Sequence, residues 1–127
     1  MRMLHTMIRV FDVDKSLKFY CDGLGLEVKR RSDYEKKEFS LIFLGQPGED
    51  HGPQIELTYN WDQTEPYQLG DGYGHIAFAV DSIEELGNRL KEQGIDWSWG
   101  PGKSPGGGGM AFLEDPDGYE VEILEIK

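Results

Sequence analysis

The chain has 127 residues, of which 38% are hydrophobic and 12% aromatic, so it is long enough to bury one core. Its formal net charge of −11 disfavours nucleic acid and anionic membranes as partners, because both are negatively charged. No apolar stretch approaches the roughly 20 residues of a membrane span, and the start resembles no signal peptide. A single cysteine, Cys21, cannot form an internal disulfide, and we therefore expect a cytoplasmic protein.

The first half of the chain predicts a strand, a short helix and three more strands. Residues 3–10 (MLHTMIRV) alternate, which places His5 on the face opposite Leu4 and Ile8. Asp14 is the expected N-cap of the helix, and Gly23 its stop. The three following strands are LEVKR (26–30), FSLIFLG (39–45) and QIELTYN (54–60), separated by a charged stretch (32–38) and a Gly/Pro loop (45–53).

The second half repeats this order. HIAFAV (75–80) predicts a strand, and Ser82 with Glu85 forms a capping box that opens a helix ended by Gly94. Residues 100–109 (GPGKSPGGGG) are rich in glycine, so we expect a mobile loop there rather than a strand. The remaining strands are predicted near 95–99, 110–114 and 119–126, the last two joined by the turn at 115–118.

The expected fold class is α+β, with two βαβββ modules in a single domain covering residues 1–127. Module one covers about 1–60, a linker about 61–74 and module two about 75–127. One helix covers only one face of a four-stranded sheet. We therefore expect the other faces, curved and of mixed strand direction, to enclose a ligand cleft.

Two histidines and two glutamates recur at matched positions in the halves. His5 and His75 begin similar strands 75 − 5 = 70 residues apart, and Glu56 and Glu122 lie in similar strands 122 − 56 = 66 apart. A lone histidine or glutamate on a strand is more often an ordinary surface or core residue. Their recurrence in the same order instead favours a shared divalent metal, for which two imidazoles and two carboxylates are a suitable ligand set.

Four segments carry a resemblance that covers nearly the whole chain: LHTMIRVFDVDKSLKFY, IELTYNW, YGHIAFAVD and AFLEDPDGYEVEILE. With these segments the chain resembles glyoxalase I (lactoylglutathione lyase), a carbon–sulfur lyase family of the vicinal-oxygen-chelate superfamily. The resemblance implies one octahedral metal held by His5, Glu56, His75, Glu122 and two waters, often in a homodimer whose site combines both chains. The compact length is similar to the branch activated by Ni²⁺ or Co²⁺, with Zn²⁺ as the alternative.

The resemblance also implies a reaction and a set of substrate contacts. The hemithioacetal of methylglyoxal and glutathione is isomerised to S-lactoylglutathione through an enediolate, with Glu122 as the principal base and Glu56 as its counterpart. Arg9 and Asn60 each lie four residues beyond a ligand, or about 13 Å along a strand, which suits a contact with the far end of glutathione. Lys103 lies close to the place of a family lysine that binds the glycyl carboxylate.

Other members of the superfamily remain alternatives. The resemblance extends to iron-dependent extradiol dioxygenases and to non-catalytic small-molecule-binding modules of the same fold. Dioxygenases use three protein ligands, and related epimerases have Gln at the position of Glu56, so this glutamate favours the isomerase. The native metal, the physiological thiol, the dominant base and whether the site lies within one chain or across a dimer stay open.

Overall fold

The protein is described by a computed structural model that covers residues 1–126. The chain divides into two compact units, Met1–Gln68 and Leu69–Lys127. Each unit contains one four-stranded sheet and one helical segment. The prediction that the two modules form a single domain stays a prediction.

The first unit contains a mixed sheet and one helical segment. Its strands lie in the order β1-β4-β3-β2, with β1 parallel to β4 and the other pairs antiparallel. The buried face carries Ile8, Ile42 and Leu57, all at most 3% exposed. The elements are β1 (His5–Arg9), α1 (Val13–Leu17) with a π-helical continuation (Lys18–Gly23), β2 (Glu27–Tyr34), β3 (Phe39–Gly45) and β4 (Gln54–Asn60).

The start of α1 differs from the prediction. Asp12, not Asp14, is the N-cap: its backbone is extended and its side chain accepts a hydrogen bond from the Lys15 amide at 3.1 Å. Asp14 lies in the first helical turn, where a negative charge suits the helix dipole. The two aspartates are only two residues apart, so residue type alone did not distinguish them.

The second unit repeats the architecture. Its order is β5-β8-β7-β6, again with the outer pair β5 and β8 parallel. Ser82 Oγ accepts from the Glu85 amide at 3.1 Å, as the capping box predicts. Gly94 ends the helix with a left-handed backbone conformation (φ of 77°). In this conformation the Gly94 amide donates a hydrogen bond to the Lys91 carbonyl, and the Ile95 amide donates one to the Leu90 carbonyl. The elements are β5 (His75–Val80), α2 (Ile83–Glu92), β6 (Trp99–Lys103), β7 (Gly109–Glu114) and β8 (Glu120–Glu125).

The prediction for β6 was wrong. Residues 95–98 are not a strand, and β6 runs from Trp99, the last residue of the predicted strand, to Lys103, inside the segment expected to be a loop. A bulge separates Trp99 from Gly102 in the pairing with β7. At Gly100 φ is 83°, and a Cβ atom would lie 3.0 Å from the Met110 carbonyl oxygen. Glycine therefore permits a close approach of two strands here, where composition suggested mobility.

The fold class is confirmed as α+β, with a βαβββ order in each unit. In both sheets one face carries buried residues and alternate residues point to the opposite face, and in the second unit α2 contacts β7 and β8. Among residues 1–126, no helix has the length and apolar character needed to cross a bilayer.

Candidate metal centre

The first unit brings His5 and Glu56 together. In β1, Ile8 is buried, and the alternation therefore places His5, Met7 and Arg9 on the opposite face. Parallel pairing sets Met7 beside Glu56, so the imidazole and the carboxylate meet on that face. His5 Nε2 lies 2.8 Å from Glu56 Oε1, with the side chains 38% and 13% exposed.

The second unit brings His75 and Glu122 together in the same way. Ala77, two residues after His75, pairs with Glu122. Val121 and Ile123, the neighbours of the carboxylate, are buried on the other face. His75 Nε2 lies 3.6 Å from Glu122 Oε1, with the side chains 40% and 16% exposed. Register, exposure and orientation therefore match between the two pairs.

The distance within each pair is compatible with two ligands of a divalent cation. Bonds of about 2.1 Å place adjacent ligand atoms about 3.0 Å apart in an octahedron and about 3.4 Å apart in a tetrahedron. The observed 2.8 and 3.6 Å fall on either side of these values. An imidazolium–carboxylate ion pair would also give 2.8 Å. The duplication of the pair, rather than one distance, favours a metal.

Each pair by itself offers two side chains of the kind that bind metal ions. Zinc sites in proteins use at least three protein ligands. Within residues 1–126 no group of three or more His, Cys, Asp or Glu side chains is arranged to hold a metal ion. The structure thus brings the predicted ligands together as two separate pairs, one in each unit.

Two of the predicted substrate-binding residues share the face of the first pair. Arg9 is exposed on β1, two positions beyond Met7. Asn60 ends β4, and its amide Nδ2 donates to the Tyr67 hydroxyl at 2.9 Å. Tyr67 was not singled out from the sequence, because the contact depends on the path of the chain after β4.

Lys103 has a different setting. It is the last residue of β6 and pairs with Gly109, whereas the next pair along, Gly102 with Met110, lies on the face of Phe112 and Glu122. The alternation therefore directs Lys103 toward the face that carries α2. Its predicted role stays a prediction, and this register does not support it.

The other reactive residues lie apart from the pairs in the fold. His51 is exposed in the loop between β3 and β4. Cys21 lies in the π-helical segment, where burial, and next the Asp22 charge, raise the pKa of its thiol. A cavity of about 530 Å³ lies in the second unit, on the α2 side of the sheet. Trp97 and Lys91 line it, whereas His75 and Glu122 do not.

Sequence reasoning missed two phenylalanines beside the histidines. Phe43 contacts His5 with ring centroids 5.5 Å apart, and Phe112 contacts His75 at 5.4 Å. A signal was present, since each begins a Phe-Leu dipeptide and the two are 112 − 43 = 69 residues apart. That offset agrees with those of the histidines and glutamates.

Comparison with known proteins gives consistent matches. The family model of the Glyoxalase/Bleomycin resistance protein/Dioxygenase superfamily matches residues 2–123. A Synechocystis protein named "Probable lactoylglutathione lyase" is 46% identical over 98% of this chain and 95% of its own.

Two solved structures extend the match to the fold. The trypanothione-dependent glyoxalase I of Leishmania major has a TM-score of 0.84 and 41% identity, over 98% of this chain and 86% of that one. Glyoxalase I of Zea mays has a TM-score of 0.91 and 36% identity over 98% of this chain, which spans only 44% of the maize chain. The chain therefore belongs to the Glyoxalase/Bleomycin resistance protein/Dioxygenase superfamily.

Proposed function

We propose that this protein is a metal-dependent lactoylglutathione lyase that detoxifies methylglyoxal. The reaction is isomerisation of the methylglyoxal–glutathione hemithioacetal to S-lactoylglutathione. The duplicated His–Glu pair carries the proposal, and the lyases among its relatives agree with it. We expect the enzyme in the cytoplasm, where glutathione is reduced and a lone cysteine is common.

The ligands of the cation are His5, Glu56, His75 and Glu122. Mixed imidazole and carboxylate donors suit Ni²⁺, Co²⁺ or Zn²⁺, and the compact chain favours the first two. When bound, such a cation stabilises negative charge on the vicinal oxygens of the substrate and acidifies the neighbouring C–H bond.

The protein supplies the base that moves the proton between the two carbons. Both glutamates reach the same face of their sheets as a histidine. Glu56 Oε1 lies within hydrogen-bond distance of its histidine at 2.8 Å, whereas Glu122 Oε1 lies at 3.6 Å. The resemblance favours Glu122 as the principal base and Glu56 as its counterpart, and either carboxylate accepts the proton once it turns toward the substrate.

Arg9 and Asn60 bind the glutathione portion. The Arg9 guanidinium takes a carboxylate, for which its planar fork is suited. Asn60 supplies amide hydrogen bonds, with Tyr67 fixing its orientation through the 2.9 Å contact. Lys103 is a third candidate, on the grounds of resemblance alone.

The working form is a homodimer in which one copy supplies His5 and Glu56 and the other His75 and Glu122. Two observations support this arrangement: each unit offers only two such ligands, and the exposed Met7 lies two residues beyond His5 on the same face of β1. An exposed apolar side chain beside a His–Glu pair is suited to contact with a second chain.

Mixing of two variants tests the dimer. One variant lacks the first pair (His5→Ala with Glu56→Ala) and the other lacks the second (His75→Ala with Glu122→Ala). Refolded together, they form heterodimers with one intact site if ligands come from both chains, and activity returns. If each chain builds its own site, the mixture stays inactive.

Chelation followed by return of single metals tests the function itself. The apoprotein is assayed for thioester formation from methylglyoxal and glutathione after addition of Ni²⁺, Co²⁺ or Zn²⁺. We expect no activity without metal and the highest activity with Ni²⁺ or Co²⁺.

Trypanothione in place of glutathione tests the choice of thiol. Oxygen consumption with catechols, and no thioester, would favour a dioxygenase instead.

A further inference from the structure

Each His–Glu pair has an aromatic ring in contact with its histidine. The ring of Phe43 meets the imidazole of His5 at an interplanar angle of 79°, and Phe112 meets His75 at 83°. Both are edge-to-face contacts, and their centroid distances differ by only 0.1 Å (5.5 and 5.4 Å). The two units thus have the same residue types and the same orientation of the phenylalanine ring relative to the imidazole.

Strand pairing places each phenylalanine beside the carboxylate as well. Phe43 on β3 pairs with Glu56 on β4, and Phe112 on β7 pairs with Glu122 on β8. Residues paired in this way point to the same face of a sheet with Cβ atoms about 5 Å apart. Each phenylalanine therefore contacts the histidine of its pair and neighbours the glutamate across the strands.

A further side chain on the next strand holds each phenylalanine. The Arg30 guanidinium carbon lies 4.0 Å from the Phe43 centroid, and Arg30 pairs with Phe43 across β2 and β3. The Trp99 ring lies 6.1 Å from the Phe112 ring and pairs with it across β6 and β7. The phenylalanines are thus fixed from the outer side, so they can in turn fix the imidazoles.

The orientation of an imidazole matters because its Nε2 lone pair lies in the ring plane. Rotation about χ2 is broad for histidine, and an unsupported ring on an exposed strand samples many planes. Ligand histidines in proteins are usually oriented by a neighbour, commonly a hydrogen-bond acceptor. Here the aromatic ring takes the place of that neighbour.

We propose that Phe43 and Phe112 are positioning residues that hold the imidazole planes of His5 and His75 ready to bind the cation. This inference rests on the metal centre of the proposed function. Edge-to-face aromatic contacts have energies that correspond to roughly 2- to 12-fold in a binding constant. Loss of either ring therefore weakens metal binding by about that factor without removal of any ligand atom.

Leucine substitutions test the inference against matched controls. Phe43→Leu is compared with Phe19→Leu, since both residues are 4% exposed in the first unit and Phe19 lies in the helical segment. Phe112→Leu is compared with Phe78→Leu, since both residues are half-buried in the second sheet and Phe78 points to the other face. The ring-retaining variant Phe112→Tyr completes the set.

Co²⁺ binding is measured by competition with a chromophoric chelator, together with the visible spectrum of the bound ion and the unfolding midpoint. We expect Phe43→Leu and Phe112→Leu to bind Co²⁺ 2- to 12-fold more weakly and to shift its spectrum, while Phe112→Tyr stays close to wild type. The controls lower the unfolding midpoint comparably but leave affinity and spectrum unchanged.

Equal Co²⁺ affinity and spectra in the test variants and their controls overturn the inference. No substrate is present, so the outcome is independent of lyase activity. If the wild type binds no Co²⁺, the metal centre and this inference fail together. If the wild type binds Co²⁺ but forms no thioester, the proposed reaction fails and the positioning role is still judged by the variants.

Discussion

The substitution Glu122→Gln separates proton transfer from metal binding. Glutamine has the same shape as glutamate and keeps one oxygen that can bind a cation, but it cannot accept the substrate proton. The side chain is 16% exposed and its chain neighbours Val121 and Ile123 point into the core on the other face, so the packing of β8 is unaffected. The variant therefore folds and removes one chemical property.

The expected loss can be estimated from the role of a general base. Positioned bases contribute about 10²- to 10⁴-fold to rate, which corresponds to roughly 3–5 kcal/mol in the activation barrier. In the proposed centre three ligands are untouched and the fourth keeps an oxygen, so we expect the variant to bind metal when Ni²⁺ is in excess. We expect kcat to decrease by at least 100-fold, while most molecules still hold a metal ion.

The assay is thioester formation at saturating Ni²⁺, with metal content measured on the same samples. Glu120→Gln is the matched control, because Glu120 lies on the same strand and face but is exposed. We expect the control to keep wild-type activity and Glu56→Gln to be affected less than Glu122→Gln. Full activity in Glu122→Gln, or an equal loss in the Glu120 control, would refute the assignment of the base.

Further predictions concern pH, backbone and thiol chemistry. Hydrogen bonds from Ser40 and then Arg31 lower the pKa of Asp33, so its stabilising contribution is present above the ordinary aspartate pKa and is lost as the pH falls through the lower folded value. Unfolding free energies of wild type and Asp33→Asn should therefore differ at neutral pH and converge in acid. Gly100→Ala should destabilise the protein by about 1–3 kcal/mol in denaturant titration, because φ is 83° and Met110 is close. Burial raises the pKa of Cys21, so iodoacetamide should modify it slowly at neutral pH and Cys21→Ser should keep full activity.

The strand faces on which the candidate ligands lie could be predicted from the sequence, because alternation along a strand is a local property. Alternation of polar and apolar residues fixes the side of the strand on which His5 and Glu56 lie, and the structure places them there. The repeat then identified which of several histidines to consider. His51, which has no counterpart in the second half, is exposed in a loop.

The features that were missed depend on pairing between strands. The contact of Phe43 with His5 exists because β4 lies between β3 and β1, an order that no single strand reveals. Gly100 and Gly102 suggested a loop, whereas the approach of β7 makes them part of a bulged strand. Composition describes a segment by itself, and in both places the neighbouring strand determined the outcome.

Anomalous diffraction from crystals of the Ni²⁺-loaded protein would locate the cation directly. We expect one strong peak per chain. Each peak lies about 2.1 Å from one nitrogen each of His5 and His75 and one oxygen each of Glu56 and Glu122, with these four residues supplied by the two copies of a dimer together. Two separate peaks per chain, one at each pair, or a peak bound by other residues, would contradict a single shared cation.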